Sequence, residues 1–221
     1  MRAIIFDLDG TLIDSAIPFK EMKSTVIKYL QTVGVTPGLL NNDMLNSQIT
    51  SIAVEDLRKK AVSQVEIRVI FSRVSDIMNG VELKSLPWAS LIEAVPETLK
   101  ALKDMGLKLG IMTRGCHEYA KKILDRFGLS KFFDAVVARD DVENPKPNPE
   151  HAFHLLGLLS VRAEEALCVG DHWSDGECAK KAGLKFVLVK RGDRNITSPE
   201  ESGFLTVNSI RDLVQFCRES T

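Results

Sequence analysis

The chain lacks most of the features that mark a specialised class of protein. Its four cysteines, Cys116, Cys168, Cys178 and Cys217, lie far apart and form no C-x-x-C pair. That spacing argues against a disulfide framework or a zinc site, and for the reduced, partly buried thiols of a cytoplasmic protein. No apolar run approaches the ~18 residues of a membrane span. Neither sign of charge is in excess: 29 Lys and Arg against 30 Asp and Glu leave a net charge of -1. There is thus no electrostatic footprint for nucleic acid or an anionic membrane. Internal repeats and low-complexity tracts are absent, and Met1-Arg2 leads straight into an apolar run without a signal-peptide pattern. What is present is 221 residues, 44% hydrophobic and 27% charged, enough for one large domain or a core with one insertion.

Residues 15–88 also lack strand-like alternation. From Pro18 to Val33, apolar residues at Phe19, Met22, Val26, Ile27 and Leu30 predict a helix that stops at Gly34 and Pro37. After an Asn-rich connection, Ala53 to Met78 reads as one long helix. Its buried stripe would be Val54, Leu57, Ala61, Val65, Val69 and Val74 or Ile77, with Gly80 as the stop. The block 15–88 is therefore expected to be an all-α insertion. Beyond Pro87-Trp88 the pattern alternates. Strands are expected at Leu107–Met112, Phe133–Ala138, Ala166–Val169, Phe186–Val189 and Phe204–Val207. Helices are expected from Pro96 to Gly106, Gly115 to Phe127, Pro149 to Leu158, Ser174 to Ala182 and Ile210 to Cys217. Such alternation predicts a parallel sheet covered on both faces. The expected architecture is α/β: a Rossmann-like doubly wound parallel core from residues 1–14 and 89–221, with the helical domain 15–88 inserted.

The stretch from Ala3 to Leu12 organises the rest. Ala3 to Phe6 reads as a buried strand ending in Asp7 and Asp9, spaced i, i+2. In extended chain these two carboxylates project to one side, where they repel each other unless a positive group joins them. Mg²⁺ suits the position, because it takes oxygen ligands from one or two carboxylates plus substrate phosphate. Asp-x-Asp-Gly also serves as plain strand-to-turn punctuation, so the context has to decide.

Ligands of open parallel sheets bind outside the carboxyl ends of the strands. The polar residues after each predicted strand are Asp7 and Asp9, then Thr113-Arg114-Gly115, then Lys146 within Pro145-Lys146-Pro147, then Asp171 and Asp175. Carboxylates, a hydroxyl, a backbone N–H and a lysine held between prolines form a set able to grip a phosphate and a metal together. Asp14, Asp140 and Asp141 fit solvated turns equally well and are left out of the set. His172 has no cysteine or histidine partner at a zinc-binding spacing.

In these motifs and their order, with the insertion after the first, the chain resembles the haloacid dehalogenase superfamily in its phosphatase branch with a helical cap. The likeness spans nearly the whole chain. It implies that Asp7 is the nucleophile forming an aspartyl-phosphate, and that Asp9 is the general acid and base. It further implies that Thr113 and the Arg114 backbone hold the phosphoryl group, and that Lys146 neutralises the nucleophile–phosphate pair. Mg²⁺ would be held by Asp7, the Asp9 carbonyl and Asp171, with Asp175 ligating or orienting that shell. The implied reaction is hydrolysis of a small phosphorylated metabolite of phosphoglycolate type, with substrate choice lying in the cap. Asp9 argues against dehalogenase chemistry. Thr11 favours a phosphatase over a sugar phosphomutase, and a silent binding module on the same fold is the remaining alternative. His172, Trp173 and Arg114 depart from the usual residues of this family.

Overall fold

The computed structural model describes residues 1–190 and 203–219. Strand β1, Ala3–Phe6, is buried along its whole length, as a run without polar alternation requires if both faces are covered. It pairs in parallel with β4, Lys108–Met112, on one side and with β6, Ala166–Gly170, on the other. Outside these lie β5 (Ala135–Val137), β7 (Lys185–Val189) and β8 (Leu205–Val207), all paired in parallel. The six-stranded order is β5-β4-β1-β6-β7-β8. Counted along the chain among these strands alone, that is 3-2-1-4-5-6, the doubly wound order with its switch point beside β1. Asp7 follows β1 directly, so the order puts it where two crossovers diverge and leave a crevice.

The helices of this unit begin and end where the local chemistry directs. Helix α4, Val95–Asp104, carries Pro96 in its first turn and buries Val95, Thr98, Leu99 and Leu102. Helices α5 (His117–Arg126), α6 (Glu150–Leu159) and α7 (Trp173–Lys181) each follow one strand and precede the next. A short antiparallel pair, β2 (Ile13–Asp14) with β3 (Ser90–Leu91), was not expected and ties together the two points where the chain leaves and re-enters the sheet unit. Ile5, Met112, Ala152, Leu155, Cys168 and Cys178 belong to one continuous core. All four cysteines are buried. Helix α8, Asp212–Glu219, closes the described chain. Among the described residues, no helix is long and apolar enough to cross a membrane.

The chain divides into two compact units, Met1–Ser15 with Trp88–Thr221, and Ala16–Pro87. The second is helical and has its own core, to which Met22, Leu30, Ile49, Leu57, Ile67 and Val74 contribute. It corrects the reading of residues 53–78 as one helix. The segment holds two: α2, Asn46–Lys59, and α3, Gln64–Ser85, which follow α1, Phe19–Thr32. Ala61 takes a left-handed conformation between them, φ 60°. Ser63 and Glu66 then exchange hydrogen bonds as a capping box, Ser63 N–H to Glu66 Oε2 at 3.0 Å and Glu66 N–H to Ser63 Oγ at 3.2 Å. Restarting the helix resets its phase, so a stripe counted on from Leu57 does not continue. Val65 and Val69 are exposed, while Ile67, Ile70, Val74 and Met78 are buried. Gly80 does not stop α3. A glycine inside a helix costs only about 1 kcal/mol against alanine, and the buried face here runs on to Glu82 and Ser85.

Candidate active site

The carboxyl ends of β1 and β6 meet around a buried lysine. Lys146 is 1% exposed and donates from Nζ to Asp7 Oδ1 at 2.7 Å and to Asp175 Oδ1 at 2.6 Å. These residues come from the end of β1, the loop before α6 and the first turn of α7. A lysine so enclosed loses its hydration, which its two carboxylate partners must replace. Burial alone would lower its pKa, but the charges and hydrogen bonds of Asp175 and Asp7 outweigh that and raise it. Lys146 is therefore a fixed positive charge.

Its backbone is fixed as well. His151 on α6 is fully buried, and its Nδ1 accepts the Lys146 N–H at 3.1 Å. The other ring nitrogen, Nε2, lies 3.0 Å from the carbonyl of Val137. A carbonyl only accepts, so Nε2 carries the proton and the ring is neutral. Burial, reinforced by the Lys146 charge, lowers the His151 pKa to about 4.

Asp171 completes an acidic group. One carboxylate oxygen from each of Asp7, Asp171 and Asp175 lies within 4.8 Å of the others. Lys146 does not balance three carboxylates. Burial is the largest influence on Asp7 and pushes its carboxyl well above the usual range; Lys146 opposes this, whereas Asp175, Asp171 and Asp9 add to it. A donor set of hard oxygens with surplus negative charge fits a hard divalent cation such as Mg²⁺. Asp175 also accepts the His172 N–H through Oδ2 at 3.2 Å, while the His172 ring accepts the Ser174 N–H. Asp175 thus serves the lysine and the start of α7 together, and His172 is the N-cap of that helix.

Glycine makes room for the acids. Gly10 has φ +94°, and a Cβ there would lie 2.2 Å from Asp171 Oδ2. A Cβ on Gly170 would lie 2.4 Å from Asp175 Oδ2. Gly10→Ala should therefore displace Asp171 and weaken Mg²⁺ binding by about 10- to 100-fold, the usual effect of disturbing the support of a metal ligand. Calorimetric titration of the metal-free protein measures this, and an unchanged affinity contradicts it.

Asp9 points to a different set of partners. Its Oδ1 accepts from Tyr119 Oη at 2.7 Å and its Oδ2 from Thr113 Oγ1 at 3.3 Å. Thr113 in turn accepts the Gly115 N–H at 3.0 Å. Thr11, next to Gly10, donates to Asp171 Oδ1 at 3.3 Å. Of the expected site residues, Asp7, Lys146, Asp171 and Asp175 form one cluster, and Asp9 and Thr113 a second contact at the same strand ends. Arg114 enters through its carbonyl, which accepts from Arg139 Nη1 at 2.7 Å.

Two contributors escaped the motif reading, Tyr119 and His151, and for Thr11 the contact with Asp171 was not foreseen. Asp140 and Asp141 lie exposed in the turn Arg139–Asp141, as solvated turn residues would, and they also brace α5. Asp140 accepts the His117 N–H at 2.7 Å, and Asp141 accepts the Ala138 N–H and pairs with His117 Nδ1, each at 2.7 Å. They anchor the start of α5, from which Tyr119 projects. For Tyr119 a signal did exist, since a tyrosine on a core-facing helix stripe needs a partner for its hydroxyl.

Comparison with known proteins gives concordant matches. Residues 4–189 match the family model described as haloacid dehalogenase-like hydrolase. A phosphoglycolate phosphatase of Aquifex aeolicus is 33% identical over 194 residues, covering 87% of this chain and 86% of that protein. The pyrophosphatase PpaX of Halalkalibacterium halodurans is 34% identical over 190 residues, covering 86% and 83%. A solved Thermotoga maritima structure carrying a beta-phosphoglucomutase name is 25% identical, with a TM-score of 0.66 and 100% of both chains covered.

Proposed function

The chain belongs to the haloacid dehalogenase-like hydrolases, and from that premise we propose that it is a Mg²⁺-dependent phosphatase of small phosphate esters working through Asp7. The observation that carries this reading is the buried Lys146 bridging Asp7 and Asp175 beside Asp171. A carboxylate that must approach a phosphate dianion needs fixed positive charge next to it, and Lys146 supplies that charge without any reorganisation.

Asp7 attacks phosphorus, forming an Asp7–phosphorus bond as the ester bond breaks. Asp9 gives a proton to the departing oxygen, then takes one from the water that cleaves the Asp7–phosphorus bond. Thr113 and the Arg114 backbone hold the phosphoryl oxygens. Asp7, the Asp9 carbonyl, Asp171 and Asp175 would hold Mg²⁺, which when bound neutralises charge on the phosphoryl group. The helical unit 15–88, acting as a cap, would select the leaving group.

The relatives are named for phosphoglycolate and pyrophosphate, two substrates whose leaving groups are themselves anions. We place the substrate in that class. The decisive experiment is a Mg²⁺-dependent screen that includes phosphoglycolate, inorganic pyrophosphate and sugar phosphates. Release of inorganic phosphate that EDTA abolishes is the expected result. Activity that survives EDTA overturns the metal assignment. Binding without turnover supports a silent module, and a bisphosphate retained and converted supports a mutase.

A further inference from the structure

We infer that Tyr119 is a positioning residue for Asp9: its buried hydroxyl donates to Oδ1 at 2.7 Å, against 3.3 Å from Thr113 to Oδ2, and so directs the acidic proton to Oδ2. The inference rests on the reading of Asp9 as general acid given above.

Tyr119 lies on the core face of α5 and is fully buried. Filling that face needs only a ring, and phenylalanine would fill it as well. A hydroxyl taken out of water without a partner is costly, so its presence calls for an acceptor. That acceptor is Asp9 Oδ1, 2.7 Å away and 110 positions distant in sequence. The ring reaches it because Gly115 lacks a side chain: a Cβ there would lie 2.9 Å from Tyr119 Cδ1. The helix that carries Tyr119 is itself held at its first residue by Asp140 and Asp141. Acceptor, passage and anchor together make a built contact.

The chemical consequence is directional. Both oxygens accept a hydrogen bond, but the shorter one, from Tyr119 to Oδ1, marks Oδ1 as the carbonyl-like oxygen, so an acidic proton on Asp9 resides on Oδ2. Oδ2 is also the oxygen next to the Thr113 hydroxyl, at 3.3 Å, and Thr113 is the residue proposed to hold the phosphoryl group. In the first step the proton on Oδ2 passes to the ester oxygen as its bond to phosphorus breaks. The alcohol leaves neutral, and Asp9 remains as a carboxylate still bound to Tyr119. In the second step Oδ2 takes a proton from the attacking water. Without the hydroxyl, the contact that distinguishes Oδ1 from Oδ2 is lost, and the weaker Thr113 bond no longer fixes which oxygen faces the substrate.

The test exploits leaving groups that differ in their need for an acid. In kcat/KM, which reports steps up to departure of the leaving group, an alkyl phosphate needs the proton and 2,4-dinitrophenyl phosphate does not. For Tyr119→Phe in Mg²⁺ the alkyl ester should lose about 10- to 100-fold, the scale of a misplaced catalytic group. The dinitrophenyl ester should change by less than about twofold, because proton donation to that leaving group contributes little. The ratio of the two is independent of how much of the variant is folded, so partial unfolding does not mimic the result. Equal losses on both esters, no loss, or a gain on the alkyl ester overturns the inference. Asp7→Asn separates the two levels. If it is inactive while Tyr119→Phe loses equally on both esters, only the role of Tyr119 is wrong. If the parent cleaves neither ester, the phosphatase reading fails and the inference falls with it.

Discussion

Asp7→Asn is expected to lower phosphate-ester turnover by at least about 10⁴-fold, since on the proposed role of Asp7 as the nucleophile its removal leaves only binding and electrostatics. The same substitution should leave the fold intact. Asp7 is buried, and the charges of Asp175, Asp171 and Asp9 join burial in disfavouring its ionised form despite Lys146. An amide of nearly the same shape removes that repulsion, and Lys146 retains Asp175 at 2.6 Å. The variant should therefore melt no lower than the parent in EDTA. The pH dependence has a definite sign. A carboxyl whose folded-state pKa lies above its unfolded value of 3.8 favours the fold while protonated and loses that advantage as pH rises through the folded value. The stability of Asp7→Asn relative to the metal-free parent should thus increase with pH over that range. Phosphate release at a parental rate would remove Asp7 from the nucleophile role. A large fall in melting temperature would mean that the Asp7–Lys146 contact is mainly structural.

How much of this was legible in the sequence depended on whether local pattern or three-dimensional contact carried the information. Strand β1 was legible because an unbroken apolar run that ends in acids has few other uses. The sheet strands after residue 88 were legible for the same reason, to within about two residues at most ends, the usual uncertainty of helix and strand limits. Lys146 stood out because prolines on both sides are wasteful for a solvated lysine. The break at Ala61 was hidden because Val65 and Val69 mimic a continuing stripe, although the Ser63-Gln64-Val65-Glu66 capping box was visible in principle. The hydroxyl of Tyr119 and the ring of His151 could not be placed by periodicity, which reports which face is buried and not what waits there. Their partners, Asp9 and the Lys146 backbone, are set by the packing of α5 and α6 on the sheet. The roles of Asp140 and Asp141 were hidden likewise, because a turn acid and a helix anchor look the same until the helix is placed beside it.

Lys146→Met should strongly destabilise the sheet unit, and it should abolish activity as well. Methionine nearly matches the volume of lysine, so the loss is one of charge and not of packing. With Nζ gone, Asp7 and Asp175 face each other across a buried space with Asp171 nearby. Removing one partner of a buried ion pair typically costs 3–5 kcal/mol, because the remaining charge is left without compensation. For a chain of this size that corresponds to a fall in melting temperature of about 10 °C. Two further measurements identify the cause. Adding Asp7→Asn to Lys146→Met should restore part of the lost stability, a coupling that independent sites do not show. Mg²⁺ should raise the melting temperature of Lys146→Met more than that of the parent if the cation takes over charge compensation for the acids, by mass action on the folded state. Turnover should fall by at least about 10³-fold even when Mg²⁺ restores the fold, because the charge proposed to bring Asp7 to a phosphate dianion is gone. A variant that melts within a degree of the parent in EDTA would show that water reaches these acids and that Lys146 does not hold the site together.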